Sequence, residues 1–323
     1  MPPEAAVVAR GLTKRFGDLV AVDGIDLKIR RGEVFGFVGP NGAGKSTTIR
    51  MLCGILDPTS GEAQVLGYDI RRQADALKAH IGYMSQRASL YTDLTVTEQL
   101  EFYARIYGLD AATRREKVRG WIETSGLAGR ERDLVSTLSG GWRQRLALGA
   151  AVMHHPELLL LDEPTSGVDP LSRREFWDLI YRFADAGTTV MVTTHYMDEA
   201  EHCDRLAFIH GGRIVAEGAP SEIKRRHLRG DLLEVTSDEW MAALDVVRAS
   251  PYVLDAALYG TAIHAFVADP HAAVPALGRD LATAGVYVRG ILPIAPTLED
   301  VFVALVERPS DRAGAAPRGG VDG

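Results

Sequence analysis

Cysteine is scarce in this sequence. Only Cys53 and Cys203 occur among 323 residues, in apolar or helical contexts and without the spacing of metal ligands. This scarcity argues against a disulfide framework and against a cysteine metal site. We expect both to be small buried side chains, which fits a reducing compartment.

Long hydrophobic runs are also absent. The longest apolar stretches, such as residues 146–152 and 158–161, fall far short of the roughly 20 residues that a membrane-crossing helix needs. The first residues lack the basic, apolar and small-residue order of a secretory signal. We therefore expect a cytoplasmic chain, and any membrane role must come from a partner.

Positive charge is not in excess. The 36 Lys and Arg residues are outnumbered by 43 Asp and Glu residues, giving a formal net charge of −7 and a pI of about 5.7. A protein that grips a polyanion over its whole surface normally carries the opposite balance. Nucleic acid is therefore not an expected partner.

The composition is that of an ordinary globular protein, with 46% hydrophobic and 24% charged residues, and the chain is long enough for two domains. Strand-like runs alternate with helical patterns over residues 7–218, which predicts an α/β domain over residues 1–220. Helical periodicity with little strand signal predicts a helical insertion at about residues 87–138.

The pattern changes after residue 220. A basic helical linker is predicted over residues 221–230. Residues 231–307 then show the order βαββαβ, which predicts a small α+β accessory domain of the ferredoxin-like kind. Residues 308–323 are rich in Gly, Ala, Pro and charge, and we predict a disordered tail. The first domain has no internal repeat.

The strongest local signal lies between an apolar strand, residues 34–38, and a helix that begins near Thr47. It fits the phosphate-binding loop pattern, with Gly39, Pro40, Asn41, Gly42, Ala43, Gly44, Lys45 and Ser46. The glycines let backbone N–H groups turn toward phosphate oxygens, and the helix N-terminus adds a positive dipole. Lys45 can reach the terminal phosphates, and the Ser46 hydroxyl suits Mg²⁺.

A second signal is a run of leucines, residues 158–161, followed by Asp162 and Glu163. It predicts a buried parallel strand whose carboxyl end carries two acids at the sheet edge where ligands bind. Asp162 can hold Mg²⁺ through water, and Glu163, on the other face by strand alternation, can act as general base toward an attacking water. A solvated strand end would look similar, but the phosphate loop favours a site.

A third signal distinguishes among phosphate-loop families. Residues 138–144 read Leu-Ser-Gly-Gly-Trp-Arg-Gln. With this segment the chain resembles the ATP-binding cassette (ABC) ATPases, which have a P-loop NTPase fold with a helical insertion. Trp142 stands where Gln or Met is more frequent in their signature sequence, a change we expect the site to tolerate.

The resemblance implies that this signature segment, residues 138–144, opens a helix and grips the γ-phosphate of an ATP held by another protomer. The positions that match are Ser139, Gly140, Gly141 and Gln144. A hydroxyl and two N–H groups at a helix N-terminus would form a second anion cradle. A plain helix cap would also account for Ser-Gly-Gly locally.

The resemblance assigns further positions one at a time. Gln86 matches the glutamine that contacts Mg²⁺ and the attacking water, and Asp169 matches the loop residue that helps couple two sites across a dimer interface. His195 matches the histidine that senses the γ-phosphate and orients Glu163. Phe16 matches the aromatic residue that stacks on adenine, although a plain core role is the alternative.

The family pattern also implies partners. The phosphate loop and the signature of one chain face different nucleotides, so two cassettes pair head to tail around two ATPs. Because this chain has one cassette, we expect a homodimer in the ATP-bound state.

Residues 174–177, 195–201 and 296–302 resemble the drug-export branch, whose motors work with a separate integral-membrane permease. The implied function is ATP hydrolysis that drives small-molecule export, on the cytoplasmic face of the cell membrane. The substrate is not specified by this chain, because the permease lines the transport path. We expect the permease to contact a groove near residues 86–100.

Other functions stay open at this point. An importer ATPase has the same cassette chemistry. A soluble ABC ATPase that moves no solute is a different class, but its translation-factor relatives normally carry two cassettes and its DNA-repair relatives a long coiled coil. A purely regulatory binding module would tolerate loss of Glu163 or His195, and both are present.

Overall fold

The computed structural model describes residues 4–86, 90–228 and 230–306. The chain divides into two compact units, Met1–Pro220 and Ser221–Gly323. Residues 87–89 of the predicted helical insertion and the predicted disordered tail, residues 308–323, lie outside the described residues.

The first unit is a mixed α/β structure. Its strands are β1 (Ala5–Phe16), β2 (Leu19–Arg30), β3 (Val34–Val38), β4 (Ser60–Val65), β5 (Tyr68–Asp69), β6 (Ile81–Met84), β7 (Leu158–Asp162), β8 (Thr189–Thr194), β9 (Arg205–His210) and β10 (Arg213–Gly218). Its helices are α1 (Lys45–Leu52), α2 (Ala74–Lys78), α3 (Val96–Ile106), α4 (Ala111–Thr124), α5 (Gly140–Val152), α6 (Pro170–Asp185) and α7 (Met197–Ala200), with a 3-10 turn over Val135–Thr137.

A sheet in the order β10-β9-β3-β8-β7-β6 carries the parallel strands. Strands β3, β7 and β8 are buried along their whole length, because parallel strands are covered on both faces. Within β7, Leu158 and Leu160 enter one hydrophobic core and Leu159 and Leu161 the other. The two cores pack on opposite faces of β7 and thereby fix the position of its carboxyl end.

A second sheet in the order β2-β1-β4-β5 is antiparallel. The sequence prediction did not separate it from the parallel sheet. In β2, Ile25, Leu27 and Ile29 are buried while the residues between them are exposed, which is the period of a strand with one covered face. This sheet packs its apolar side into the same core as α1.

The helical insertion predicted at about residues 87–138 contains α3 and α4. Helix α3 begins at a capping box, in which the Thr95 hydroxyl accepts from the Glu98 N–H and the Glu98 carboxylate accepts from the Thr95 N–H. Helix α4 begins at Asp110, whose carboxylate accepts from two backbone N–H groups. Both helices pack into the core that α5 shares.

Helix α8 (Pro220–His227) begins at the last residue of the first unit and lies where a helical linker was predicted. The elements that follow are β11 (Asp231–Ser237), α9 (Trp240–Ala249), β12 (Val253–Tyr259), β13 (Ala262–Val267), α10 (Pro270–Thr283), β14 (Val288–Ile294) and α11 (Leu298–Val306). Their sheet is antiparallel in the order β12-β13-β11-β14. Across residues 4–86, 90–228 and 230–306, every helix falls short of the length and hydrophobicity needed to span a bilayer.

Candidate nucleotide-binding site

The carboxyl ends of neighbouring parallel strands bring distant residues together. In the sheet register Val38 of β3 lies beside Thr194 of β8, and Asp162 of β7 lies beside Thr193. The segments that follow β3, β7 and β8 therefore leave the sheet at one edge. The phosphate-binding loop, Glu163 and His195 are the first residues beyond that edge.

Glycine is required at several points of the loop after β3. Gly42 and Gly44 have φ values of 81° and 108°, which side chains other than glycine rarely adopt. A Cβ at Gly39 would lie 2.2 Å from the Ile209 carbonyl oxygen, and one at Gly44 would lie 2.4 Å from that of Ala21. The backbone is packed too tightly for any side chain at either position.

Helix α1 starts from this loop with its N-terminus available to a ligand. Gly44 is the N-cap residue and no side chain caps the helix. Its first N–H groups have no side-chain acceptor, and a phosphate oxygen is the group they suit. Thr47 lies in this first turn, half-buried, whereas Asn41 is exposed and Ala43 is buried.

Lys45 is almost entirely buried, with 4% of its surface exposed. Its Nζ donates to the carbonyl oxygens of Gly39 at 2.8 Å and Pro40 at 3.1 Å. It also lies 3.0 Å from Glu163 Oε1. A buried ammonium with a carboxylate partner and two carbonyl acceptors is compensated for its loss of water.

Glu163 does not follow the strand alternation that we predicted. Strand β7 ends at Asp162, and Glu163 has a φ of 47°, a left-handed conformation. Its N–H donates to the Thr193 hydroxyl at 3.0 Å, which helps hold that conformation. The turn, rather than the pleat of the strand, directs the Glu163 carboxylate toward Lys45.

Two further groups face the Glu163 carboxylate. Gln86 Nε2 donates to Oε2 at 2.9 Å. The Nδ1 atom of His195 lies 3.3 Å from the same oxygen, without the geometry of a hydrogen bond. One carboxylate is thus surrounded by the lysine, glutamine and histidine that the sequence assigned to a common site.

Asp162 is fully buried beside this cluster. Its Oδ1 accepts from the Ser46 hydroxyl at 2.9 Å and from the Thr193 hydroxyl at 2.7 Å, while Oδ2 has no partner. Burial, with a further contribution from the charge of Glu163, raises the pKa of Asp162 above its ordinary value. The unpartnered oxygen is a polar atom that a cation would satisfy.

The sequence analysis did not predict a role for Thr193 in the site. Its hydroxyl bridges the Asp162 carboxylate and the Glu163 N–H, so it holds both acids. The local pattern of β8 shows only an apolar run ending in two threonines. Only the pairing of β7 with β8 makes Thr193 a neighbour of Asp162.

The donor set fits Mg²⁺ rather than a metal held by the protein alone. No group of three or more His, Cys, Asp or Glu side chains could hold a metal within residues 4–86, 90–228 and 230–306. Mg²⁺ typically takes one or two carboxylates together with substrate phosphates and water. The Asp162 carboxylate and the Ser46 hydroxyl beside the phosphate loop match that requirement.

Phe16 lies at the end of β1, and 48% of its surface is exposed. The Lys14 Nζ lies 5.2 Å from the centre of its ring. An aromatic ring that is half exposed at a strand end is available for stacking, unlike a core phenylalanine.

The signature segment forms a second group of site residues. Ser139 is the N-cap of α5, and its side chain makes no capping hydrogen bond, so its hydroxyl is not used as a plain helix cap. A Cβ at Gly141 would lie 2.6 Å from the Ser172 hydroxyl of α6. Asp169 is the N-cap of α6 and accepts from the Ser172 N–H at 2.9 Å. The signature and the predicted interface loop therefore lie side by side.

Trp142, the unusual residue of the signature, lies close to two guanidinium groups. Arg130 lies 5.0 Å and Arg145 lies 4.5 Å from its ring, within the range of cation–π attraction. Gln144, also on α5, is half-buried and its Oε1 is unpartnered. Arg145 also pairs with Glu175 of α6. That the site tolerates tryptophan at this position stays a prediction.

Comparison with known proteins agrees with this geometry. The ABC transporter family model matches residues 22–166. A probable multidrug ABC transporter ATP-binding protein, YbhF of Escherichia coli, is 46% identical over 238 residues, which are 74% of this chain and 41% of that protein. This chain therefore spans about two fifths of the length of that relative.

A second relative matches almost end to end. The daunorubicin/doxorubicin resistance ATP-binding protein DrrA of Streptomyces peucetius is 38% identical over 314 residues, covering 96% of this chain and 94% of DrrA. Among solved structures, a dimeric post-hydrolysis state of the ATP-binding cassette MJ0796 with ADP and Pi superimposes with a TM-score of 0.61 at 25% identity, covering 66% of this chain and 98% of that one.

These similarities confirm the predicted fold class of the first unit, an ABC ATPase of the P-loop NTPase kind, and its capacity to bind ATP. The match to DrrA extends through both units, so the likeness is not confined to the phosphate loop. The chain belongs to the ATP-binding proteins of ABC transporters.

Proposed function

We propose that this chain hydrolyses ATP as the motor subunit of an exporter of small molecules. The observation that carries the proposal is the Glu163 carboxylate, which meets Lys45, Gln86 and His195 beside the buried Asp162. A merely structural carboxylate would not need to be directed by a left-handed turn into a cluster next to a phosphate-binding loop.

Nucleotide binding is assigned to the phosphate loop and the start of α1. The N–H groups of residues 39–47 would bind the phosphates, and Phe16 would stack on adenine. Lys45 would exchange its contact with Glu163 for the terminal phosphates. That exchange releases the Glu163 carboxylate from an ion pair at the moment when the substrate arrives.

Mg²⁺ is assigned to Ser46, Asp162 and Gln86. The unpartnered Oδ2 of Asp162 and the adjacent Ser46 hydroxyl support this assignment. When bound, the ion neutralises charge on the phosphates. The nearby carboxylate of Glu163 would accept a proton from the attacking water, and His195 would orient that carboxylate and contact the γ-phosphate.

A homodimer would complete each site in the ATP-bound state. Gly141 of the signature lies against Ser172 at the start of α6, whereas Gly39 and Gly44 of the phosphate loop lie against Ile209 and Ala21. We assign the signature, with Asp169 beside it, to the nucleotide of the partner protomer. The dimeric assembly of the MJ0796 cassette supports this arrangement.

We assign the chain to the cytoplasmic face of the cell membrane, bound to a separate integral-membrane permease. The names of YbhF and DrrA support drug or multidrug efflux as the transport reaction. The permease would line the transport path and select the substrate.

Replacement of the general base tests the proposal. Glu163→Gln keeps the hydrogen bond from Gln86 but removes the proton acceptor. We expect ATP binding to persist, and kcat to fall by about 10²- to 10⁴-fold. ATP should then trap a dimer, which can be measured by size-exclusion chromatography with light scattering.

Glu116→Gln is the matched control, because Glu116 is an exposed glutamate of α4 in the same unit. It should hydrolyse ATP at the wild-type rate. Normal hydrolysis by Glu163→Gln would refute the assignment of the base. Export is tested separately, by co-purification with a permease and by substrate-stimulated ATPase activity; a cassette with ATPase activity but no permease partner would refute the transport role.

A further inference from the structure

A buried polar cluster lies next to the site and has no role in the chemistry described above. Thr165 and Glu199 are each 1% exposed, and the Thr165 hydroxyl donates to Glu199 Oε1. The Arg173 Nε atom lies 3.2 Å from the same oxygen, as an ion pair without hydrogen-bond geometry. Glu199 Oε2 has no partner. Arg173 is the cation that compensates this buried carboxylate.

Arg173 also contacts the segment that carries His195. Its guanidinium lies 4.2 Å from the centre of the Tyr196 ring, and its Nη1 donates to Asp198 at 3.4 Å. The Tyr196 and His195 rings are 4.1 Å apart. A movement of Arg173 would therefore shift the Tyr196 ring, and through it the His195 ring.

Each member of the cluster belongs to a segment that presents one site residue. Thr165 follows Glu163 in the turn after β7, and the Ser166 N–H donates to the Glu163 carbonyl oxygen at 3.2 Å. The Arg173 N–H donates to the Asp169 carbonyl oxygen at 2.9 Å, in the first turn of α6. Glu199 lies in α7, directly after His195 and Tyr196. The cluster thus connects the loop of Asp169 with the segments that carry Glu163 and His195.

We propose that Arg173 and Glu199 are positioning residues that couple the conformation of the loop at Asp169 to the placement of Glu163 and His195. This inference rests on the proposed function of the site. Arg173 moves as part of α6, and its planar guanidinium must face a carboxylate on one side and an aromatic ring on another. A shift of α6 breaks one of these contacts, and the catalytic segments lose their common support.

Arg173→Lys is the sharpest test, because it retains the charge that compensates Glu199 but loses the planar group that stacks on Tyr196. We expect kcat for ATP hydrolysis to fall about 10- to 100-fold, since small misplacements of catalytic groups have costs of that size. KM for ATP should stay within about 2-fold, because the phosphate loop does not contact Arg173. Glu199→Gln should act in the same direction.

Arg174→Met is the matched control, because Arg174 is the next residue of α6 and its side chain is exposed. It should leave kcat and KM unchanged. A double-variant cycle with His195→Ala separates positioning from a structural role. If Arg173 acts partly through His195, Arg173→Lys should cause a smaller loss of kcat in that background than in the wild-type protein.

Several results would overturn the inference. Wild-type kcat in Arg173→Lys would do so, as would a loss of kcat that adds in full to that of His195→Ala. A fall in kcat matched by a proportional rise in KM and a lower melting temperature would also show a structural role. Failure of the proposed function has a different signature, since wild-type protein would then show no hydrolysis that depends on Glu163.

Discussion

At the scale of single residues, two adjacent acids have different surroundings. Glu163 faces a lysine, a glutamine and a histidine. Asp162 has two hydroxyl donors on one oxygen and nothing on the other. Lys45 and Gln86 thus satisfy the Glu163 carboxylate, whereas one Asp162 oxygen has no protein partner. This division matches the base and metal roles that we propose for them.

Asp162→Asn should separate stability from function. Because the pKa of Asp162 is raised in the folded protein, the free energy of unfolding falls as pH rises from about 4 through the raised value. Asparagine removes this cost, so the variant should melt at or above the wild-type temperature at pH 7. The difference should vanish below about pH 4, and Mg²⁺-dependent hydrolysis should be lost.

Thermal unfolding at both pH values and ATPase assays check this prediction. Asp93→Asn is the control, because Asp93 is an exposed aspartate of the same unit. It should change neither the pH dependence nor the rate. A lower melting temperature for Asp162→Asn at pH 7 would contradict the prediction, because it would show that the charged carboxylate stabilises the folded protein.

At the scale of elements, close packing of helices holds the signature helix in place. Helix α5 packs against α4 and α6 in one core. A Cβ at Gly149 of α5 would lie 2.1 Å from the Trp121 Nε1 of α4, and the Trp121 ring stacks on Phe183 of α6 at 6.0 Å. The absence of a side chain at Gly149 therefore sets how closely these three helices approach.

Gly149→Ala should destabilise the protein by about 1–3 kcal/mol, the usual cost of overpacking. Gly120→Ala is a matched control in α4, where nothing lies within 4 Å of the added Cβ. That change should stabilise by about 0.5–1 kcal/mol, because alanine favours the helix. Urea unfolding of both variants measures whether each substitution lowers or raises the free energy of unfolding. Equal effects of the two substitutions would contradict the packing argument.

At the scale of the whole molecule, the proposed site residues of one chain form two groups. Lys45, Glu163 and His195 form one group, and the signature segment with Asp169 forms the other. If the two groups meet only between protomers, defects in them should complement each other. A mixed dimer of two different inactive chains would then contain one intact site.

Lys45→Met and Gly140→Asp should each abolish ATP hydrolysis. Mixing the two purified variants should restore activity that neither has alone, because the intact phosphate loop of one meets the intact signature of the other. Mixing Lys45→Met with Glu163→Gln is the control, since both defects lie in the same group. Restored activity in the control, or none in the first mixture, would contradict sites shared between protomers.

The sequence by itself determined the local motifs of this protein. The phosphate loop, the Leu-Asp-Glu strand end and the signature are each contiguous, so their chemistry follows from neighbouring residues. The alternation of strands and helices was equally visible, because burial imposes its period on local sequence. The likeness to known ABC proteins confirmed the family assignment that these motifs indicated.

Only the tertiary structure decided how these motifs meet. The Ser46 contact with Asp162 joins residues 116 positions apart, and the Thr165 contact with Glu199 joins residues 34 apart. The left-handed turn at Glu163 replaces the alternation expected of a strand. The Glu163 N–H donates to the Thr193 hydroxyl of the neighbouring strand, and this contact holds the turn. Contacts between elements depend on sheet order and register, which no local pattern of residues specifies.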